Sequence, residues 1–306
     1  MARRRVRGSA EPVYIVGVEG DYLLVDITDR IDRLIGAVQL VDEHGVPFGV
    51  TQTDNRLRVS ATSFLYDVAR GSIPEREPWI SIGYNPNIGT TEEDLWDTGG
   101  VYAWPAAEQQ MVVVSTSAAD DGNPPGLGAR TVTIYYLDDA YAEHSVTLTM
   151  DGLTPVNTGV TDIFRVNSFR TTTAGTTAGA VGTITLKNIA GTITYGSIAI
   201  GYTRDRNTCY TVPAAKKLYI ASVMFSVYGA NKGIRYTLRT TYDDDADANR
   251  DFFIPHLETN MTNGAIFIPL LVPLHVPTTG RVKVSGMSDQ AGAVCSCSMN
   301  GWLEDV

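Results

Sequence analysis

No long segment of this chain holds apolar residues at helical spacing. Short runs instead alternate polar and apolar side chains between turns rich in glycine, proline and asparagine. Alternation with a period of two puts successive side chains on opposite faces of a strand. The clearest runs are Thr131 to Tyr136, Ser145 to Met150, Gly182 to Leu186, Leu218 to Val227, Ile234 to Thr241 and Arg281 to Ser285. Thr, Val, Ile and Tyr fit a pleated, half-buried surface. The pattern predicts an all-β chain of tandem antiparallel β-sandwich or jelly-roll-like domains. One short helix is expected over Thr91 to Trp96, where Thr91 would cap and Glu92, Glu93 and Asp94 would face the positive end of the helix dipole.

The 306 residues suit two β domains and an extension. Residues 1–85 hold short runs such as YLLVDI and AVQLVD broken by Pro12, Pro47, Pro74 and Pro78, and read as an extended N-terminal arm that contacts other chains. Residues 86–208 read as a first β-sandwich domain and 209–306 as a second. Charged residues make up 19% of the chain, against about 25% in an average protein, which implies that part of the surface faces other protein. The net charge of −10 gives no general attraction to nucleic acid or to an anionic membrane. No apolar run reaches the roughly 18 residues of a membrane span, and none suited to a signal peptide follows the N-terminal arginines. Cys209, Cys295 and Cys297 form no disulfide framework, which fits synthesis in a reducing cytoplasm. Cys295 and Cys297, two residues apart on one strand face, read as small core residues rather than metal ligands.

The runs YNPNIGTTEEDLWDTGGVYAWP, GARTVTIYYLDDAYAEHSVTLTMDGLTPV, YTVPAAKKLYI, VPLHVPTTGRVKVSGMS and GWLE resemble a family of tailed-phage virion structural proteins, over roughly residues 84 to 306. The resemblance implies a component of the virus particle, of capsid decoration, vertex or tail-attachment type, made in the host cytoplasm. It brings no catalytic motif with it. Its expected partners are major capsid or tail proteins and further copies of the chain, a trimer being the simplest arrangement.

The chemistry-bearing residues agree with a non-enzymatic role. His44, His144, His256 and His275 are far apart and belong to no HExxH or GxSxG pattern. No phosphate-binding loop is present, and the glycines of DGNPPGLGAR read as a flexible turn. No catalytic residue, cofactor or metal site is assigned. The alternating Asp243, Asp245, Asp247, Asn249 and Asp251 resemble the start of a calcium loop, but Ala248 and Ile254 stand where glycine and glutamate are needed. This run therefore reads as a solvated acidic loop, the alternative being pairing with cations or with Arg and Lys across an interface in an assembled state. Arg3, Arg4, Arg5 and Arg7 are candidate assembly contacts, with an acidic groove on a neighbouring subunit preferred to packaged nucleic acid. Two alternative functions fit some of these residues. Trp96, Trp104 and Tyr135–Tyr136 would serve a receptor-binding module that stacks on host carbohydrate. A pair of cleft carboxylates with opposed pKa shifts would mark a polysaccharide-degrading enzyme.

Overall fold

The computed structural model describes residues 14–19, 22–26, 64–228, 232–241 and 253–306. The chain divides into two compact units, Met1–Asp67 and Val68–Val306. In the first, β1 (Tyr14–Glu19) and β2 (Tyr22–Asp26) form an antiparallel hairpin. A short helix, α1 (Phe64–Ala69), follows.

Past the end of α1, the regular structure described in the larger unit is all strand. In chain order they are β3 (Arg76–Ile88), β4 (Glu93–Asp94), β5 (Met111–Ser115), β6 (Ala129–Leu137), β7 (Glu143–Thr149), β8 (Val156–Asn157) and β9 (Arg165–Ala174). Then come β10 (Ile184–Asn188), β11 (Thr194–Ile198), β12 (Tyr210–Thr211), β13 (Lys216–Tyr228), β14 (Ile234–Thr240) and β15 (Ile254–Met261). The last are β16 (Gly264–Val276), β17 (Arg281–Ser288) and β18 (Ala293–Asp305). Among the described residues every strand pairing is antiparallel, as the alternating pattern predicts.

Two sandwiches result. The first packs the sheet β11-β10-β5-β8 against β7-β6-β9, with Met111, Val113, Val132, Ile134, Phe169, Ile184 and Leu186 in the core between them. Along β6 the apolar residues Val132, Ile134 and Tyr136 alternate with Thr131, Thr133 and Tyr135. Thr131 and Thr133 bond across the strands to Thr173 (2.7 Å) and Thr147 (2.8 Å). The second sandwich packs β12-β17-β14-β15, with β4 beside β17, against β16-β13-β18-β3. Its core draws on both sheets, including Trp79, Phe225, Tyr236, Val284 and Met299. Cys295 and Cys297 point into this core, as their spacing predicts. Burial pushes both thiols up, Cys295 to about 11, so neither is a ready nucleophile at neutral pH.

The boundary near residue 85 falls inside β3. That strand pairs with β18 from Ile88↔Ala293 to Arg76↔Glu304 and buries Trp79 and Ile88 in the second core. Its exposed prolines, Pro78 and Pro86, lie on an edge strand, where prolines are tolerated, and Pro86 falls at the irregular step between Asn85 and Ile88.

The helix expected over Thr91 to Trp96 does not form. Glu93 and Asp94 instead pair with β17 at Gly286 and Ser285. Their carboxylates are taken up by distant donors. Glu93 accepts from Gly89 N (3.1 Å), Gly100 N (2.9 Å) and Asn85 Nδ2 (3.0 Å). Asp94 accepts from Tyr102 N (2.9 Å), Ser285 Oγ (2.9 Å) and Lys283 Nζ (3.0 Å). These bonds satisfy loop and sheet donors that a helix cap would leave unmet.

In β13 one extra residue between Ile220 and Ser222 reverses the alternation, so that Leu218 and Ile220 point inward before the bulge and Val223, Phe225 and Val227 after it. Gly301 sits opposite this bulge. A Cβ there would lie 1.9 Å from the Tyr219 carbonyl oxygen. Gly301→Ala must therefore part β13 from β18, and is expected to lose about 2 kcal/mol or more of stability. Chemical denaturation checks this; an unchanged midpoint would count against the contact.

The sandwiches are joined through residues 203–211. Phe169 and Asp205 exchange bonds, with Asp205 N donating to Phe169 O (2.8 Å) and Phe169 N to Asp205 Oδ1 (3.1 Å). Asn167 makes a similar reciprocal pair with the Thr211 backbone. On the other side, Thr208 N donates to Leu95 O (3.1 Å), while Arg206 donates through N and Nε to Asp97 (3.0 and 2.8 Å).

Candidate assembly surface

The outer face of the β16-β13-β18-β3 sheet departs from an ordinary protein surface. From Pro78 to Ile88, Leu218 to Tyr228, Gly264 to Val276 and Ala293 to Leu303 there is no Asp, Glu, Lys or Arg, and His275 is the sole histidine. Strand register lines up the outward residues in rows. One row is Phe267, Met224, Ser298 and Ile82; its neighbours are Pro269, Ser222, Asn300 and Ile80, and Ala265, Ser226, Ser296 and Tyr84. Ile80, Ile82, Met224 and Phe267 are exposed. Ser226 and Ser296 satisfy each other at 2.6 Å.

The β16 edge is more apolar still. Opposite the single residue Ala221, β16 carries residues 270–273 between its pairings of Leu274 with Ile220 and Pro269 with Ser222. Leu270 and Leu274 stay against the core, whereas Leu271 and Val272 are lifted out, 98% and 83% exposed. Contiguous exposed apolar surface of this kind marks an interaction site. Charge is confined to the margins. Arg76 pairs with Glu304 (2.9 Å), Lys216 with Glu77 (2.8 Å) and Asp305 (3.1 Å), and the Arg206 guanidinium lies 3.9 Å from the Tyr84 ring centre.

The residues singled out by sequence do not meet here. Arg3, Arg4, Arg5 and Arg7, His44 and the acidic run at 243–251 lie outside the described residues. Trp96 and Trp104 do not present a sugar-stacking face. They pack edge-on against Tyr102, at 5.2 and 5.1 Å, in a small cluster with Cys209. Trp302 is buried, stacked on Tyr219. His256 meets the Thr240 hydroxyl at 2.7 Å, and burial lowers its pKa. His275 lies beside Tyr219.

His144 and Tyr135 border a cleft of about 340 Å³ on the first sandwich, together with Glu143 and Asn167. Two carboxylates near it are shifted in opposite senses. Burial raises Glu143, Lys216 offsets part of that, and Glu77 and Asp305 add to it. Burial also works to raise Asp138, but bonds from His144 and the Ala142 amide outweigh it and hold the group below its ordinary value. Asp138 closes the turn between β6 and β7, accepting Ala142 N (2.8 Å) and facing His144 Nε2 (2.9 Å), and does not line the cleft. The opposed shifts thus arise from a turn and an ion cluster, not from a facing pair. Among the described residues no group of His, Cys, Asp or Glu is placed to hold a metal ion, and no helix is long and apolar enough to cross a membrane.

No protein-family model and no curated protein matches the chain. Among solved structures, T=1 particles derived from infectious bursal virus share 10% identity over 76% of this chain and 74% of that one, with a TM-score of 0.18. The VP2 subviral particle of infectious bursal disease virus shares 11% identity, covering 76% and 77%, also with a TM-score of 0.18. A vicilin from Solanum melongena shares 7%, covering 83% and 81%, with a TM-score of 0.14. Scores this low for viral and plant β proteins alike carry no functional argument.

Proposed function

We propose that this chain is a non-enzymatic structural component of a virus particle. In this reading its β domains and N-terminal arm pack on capsid or tail proteins, and several copies associate, most simply as a trimer. The observation that carries the proposal is the uncharged outer face of the β16-β13-β18-β3 sheet, with its exposed apolar β16 edge. A chain of net charge −10 with such a face is built to be covered by protein. The resemblance of residues 84–306 to tailed-phage virion structural proteins supports a particle as the place where that happens, in a decoration, vertex or tail-attachment position. Many weak contacts, repeated over a symmetric particle, add through avidity.

The test is to purify particles from infected cells and quantify the chain against the major shell protein. A constant copy ratio is expected. Attachment through an apolar face should also survive a wash in about 1 M salt, where charge interactions are screened beyond about 3 Å. Recovery of the chain only from the soluble lysate would sink the proposal.

A further inference from the structure

We infer that the outer face of the β16-β13-β18-β3 sheet binds a second copy of this chain, with the Leu271–Val272 knob of one copy seated in the small-residue trough of the other. The inference rests on the assembly reading above and names the partner for that face.

Both halves of such a contact are present on one chain. The trough is set by register. Ser296, Ser298 and Asn300 line β18, and on β13 Met224 stands between Ser222 and Ser226. Ile80 and Ile82 flank them on β3, and Phe267 flanks them on β16. The small side chains of β18 thus run between Met224 and Phe267 on one side and Ile80 and Ile82 on the other, a shallow trough with an apolar rim. The knob is set by the bulge, which lifts Leu271 and Val272 clear of the sheet.

Prolines determine how the edge is used. An exposed apolar edge strand would ordinarily invite another strand to extend the sheet. Pro269 and Pro273 flank the knob and have no N–H to donate, so β16 is poorly suited to strand addition there. The contact must therefore be made by side chains, which is what a knob and a trough provide.

Electrostatics selects the occupant. A face without formal charge offers nothing to nucleic acid, an anionic membrane or a strongly charged protein. Two copies, each of net charge −10, repel each other over most of their surfaces, and this sheet lets them approach without opposing like charges. The three rows named above span five residues on each of four strands, a footprint of roughly 17 by 19 Å, or about 300 Å²; the knob and the exposed Tyr228 add to it, toward the roughly 800 Å² per partner of a standard interface.

Sedimentation velocity on the purified chain across the micromolar range tests this. The wild type should self-associate. Leu271→Asp and Met224→Glu should each weaken association by about 30-fold or more, as expected when a central contact is lost. Both side chains are exposed, so the melting temperature should hold and separate lost contact from lost folding. Leu127→Asp, at another exposed apolar position on the first sandwich, should leave association unchanged. A monomeric wild type, unaltered association of the two face variants, or equal loss with Leu127→Asp would each overturn the inference. A monomeric chain still found in purified particles would overturn this contact and leave the particle role standing. A chain that associates through this face but is absent from particles would do the reverse.

Discussion

Asp120→Ala should cost the first sandwich about 3–6 kcal/mol, a large part of the roughly 5–15 kcal/mol that holds a typical domain folded. Asp120 is fully buried. Its Oδ1 accepts from Ala129 N (2.8 Å) and Val181 N (2.9 Å), and its Oδ2 from Gly182 N (2.8 Å) and Ser115 Oγ (2.6 Å). One carboxylate thus ties the end of β5 to the starts of β6 and β10. The chain closes so tightly that a Cβ on Gly128 would lie 2.0 Å from Asp120 Oδ1. Alanine would leave three backbone N–H groups without this acceptor, each costing about 1–3 kcal/mol when buried. Asp120→Asn should lose less, since one oxygen still accepts while its amide opposes a second donor. Urea unfolding followed by circular dichroism gives the magnitude. Hydrogen exchange of β5, β6 and β10 should show that this sandwich is the part that loosens. A change within about 1 kcal/mol, the size of one ordinary hydrogen bond, would show that the cluster is not a keystone.

Asp205→Asn should have the opposite sign and make the protein more stable at and above neutral pH. Asp205 lies at the junction between the sandwiches, 5% exposed. Burial pushes its carboxyl up to about 7, with the Phe169 amide and Arg204 pulling down and Asp97 pushing up. Its folded pKa is therefore above the ordinary 3.8. Between those values the folded state holds a proton that the unfolded state has released, so stability falls as pH rises. The contribution is complete below about pH 4 and gone above about pH 7. A shift of about three pH units corresponds to at most roughly 4 kcal/mol. Asparagine cannot ionise, yet its side-chain oxygen can still accept from Phe169 N. The difference in unfolding free energy between variant and wild type should thus grow from pH 4 to pH 7 and then level off. Taking the difference removes the background from Glu143 and His256, whose pKa values are also shifted but which do not act on Asp205. A flat difference would show that Asp205 ionises normally in the folded protein.

Much of the fold was legible because a strand writes its period into residues two apart. The runs along β6 and β14, and the inward pair Cys295 and Cys297, could be read without knowing any partner strand. The bulge in β13 could not, because an extra residue registers only against the strands beside it. The acidic stretch Glu92 to Asp97 shows the same limit. Its composition matches a helix start, but Asp94 is bound to Ser285, 191 positions away, and Asp97 to Arg206, 109 positions away. Trp96 and Trp104 had the composition of a binding platform, and their packing with Tyr102 and Cys209 was decided by where the sandwiches meet.

The sequence by itself determined that the fold would be mainly β, that it would close more than one core, and that its charge would be sparse. Tertiary structure alone decided that the uncharged stretches of four strands would share one outer face. Those strands begin at residues 76, 216, 264 and 293, and only the ladder between them, with its bulge at Leu271–Val272, turns four ordinary apolar runs into a surface.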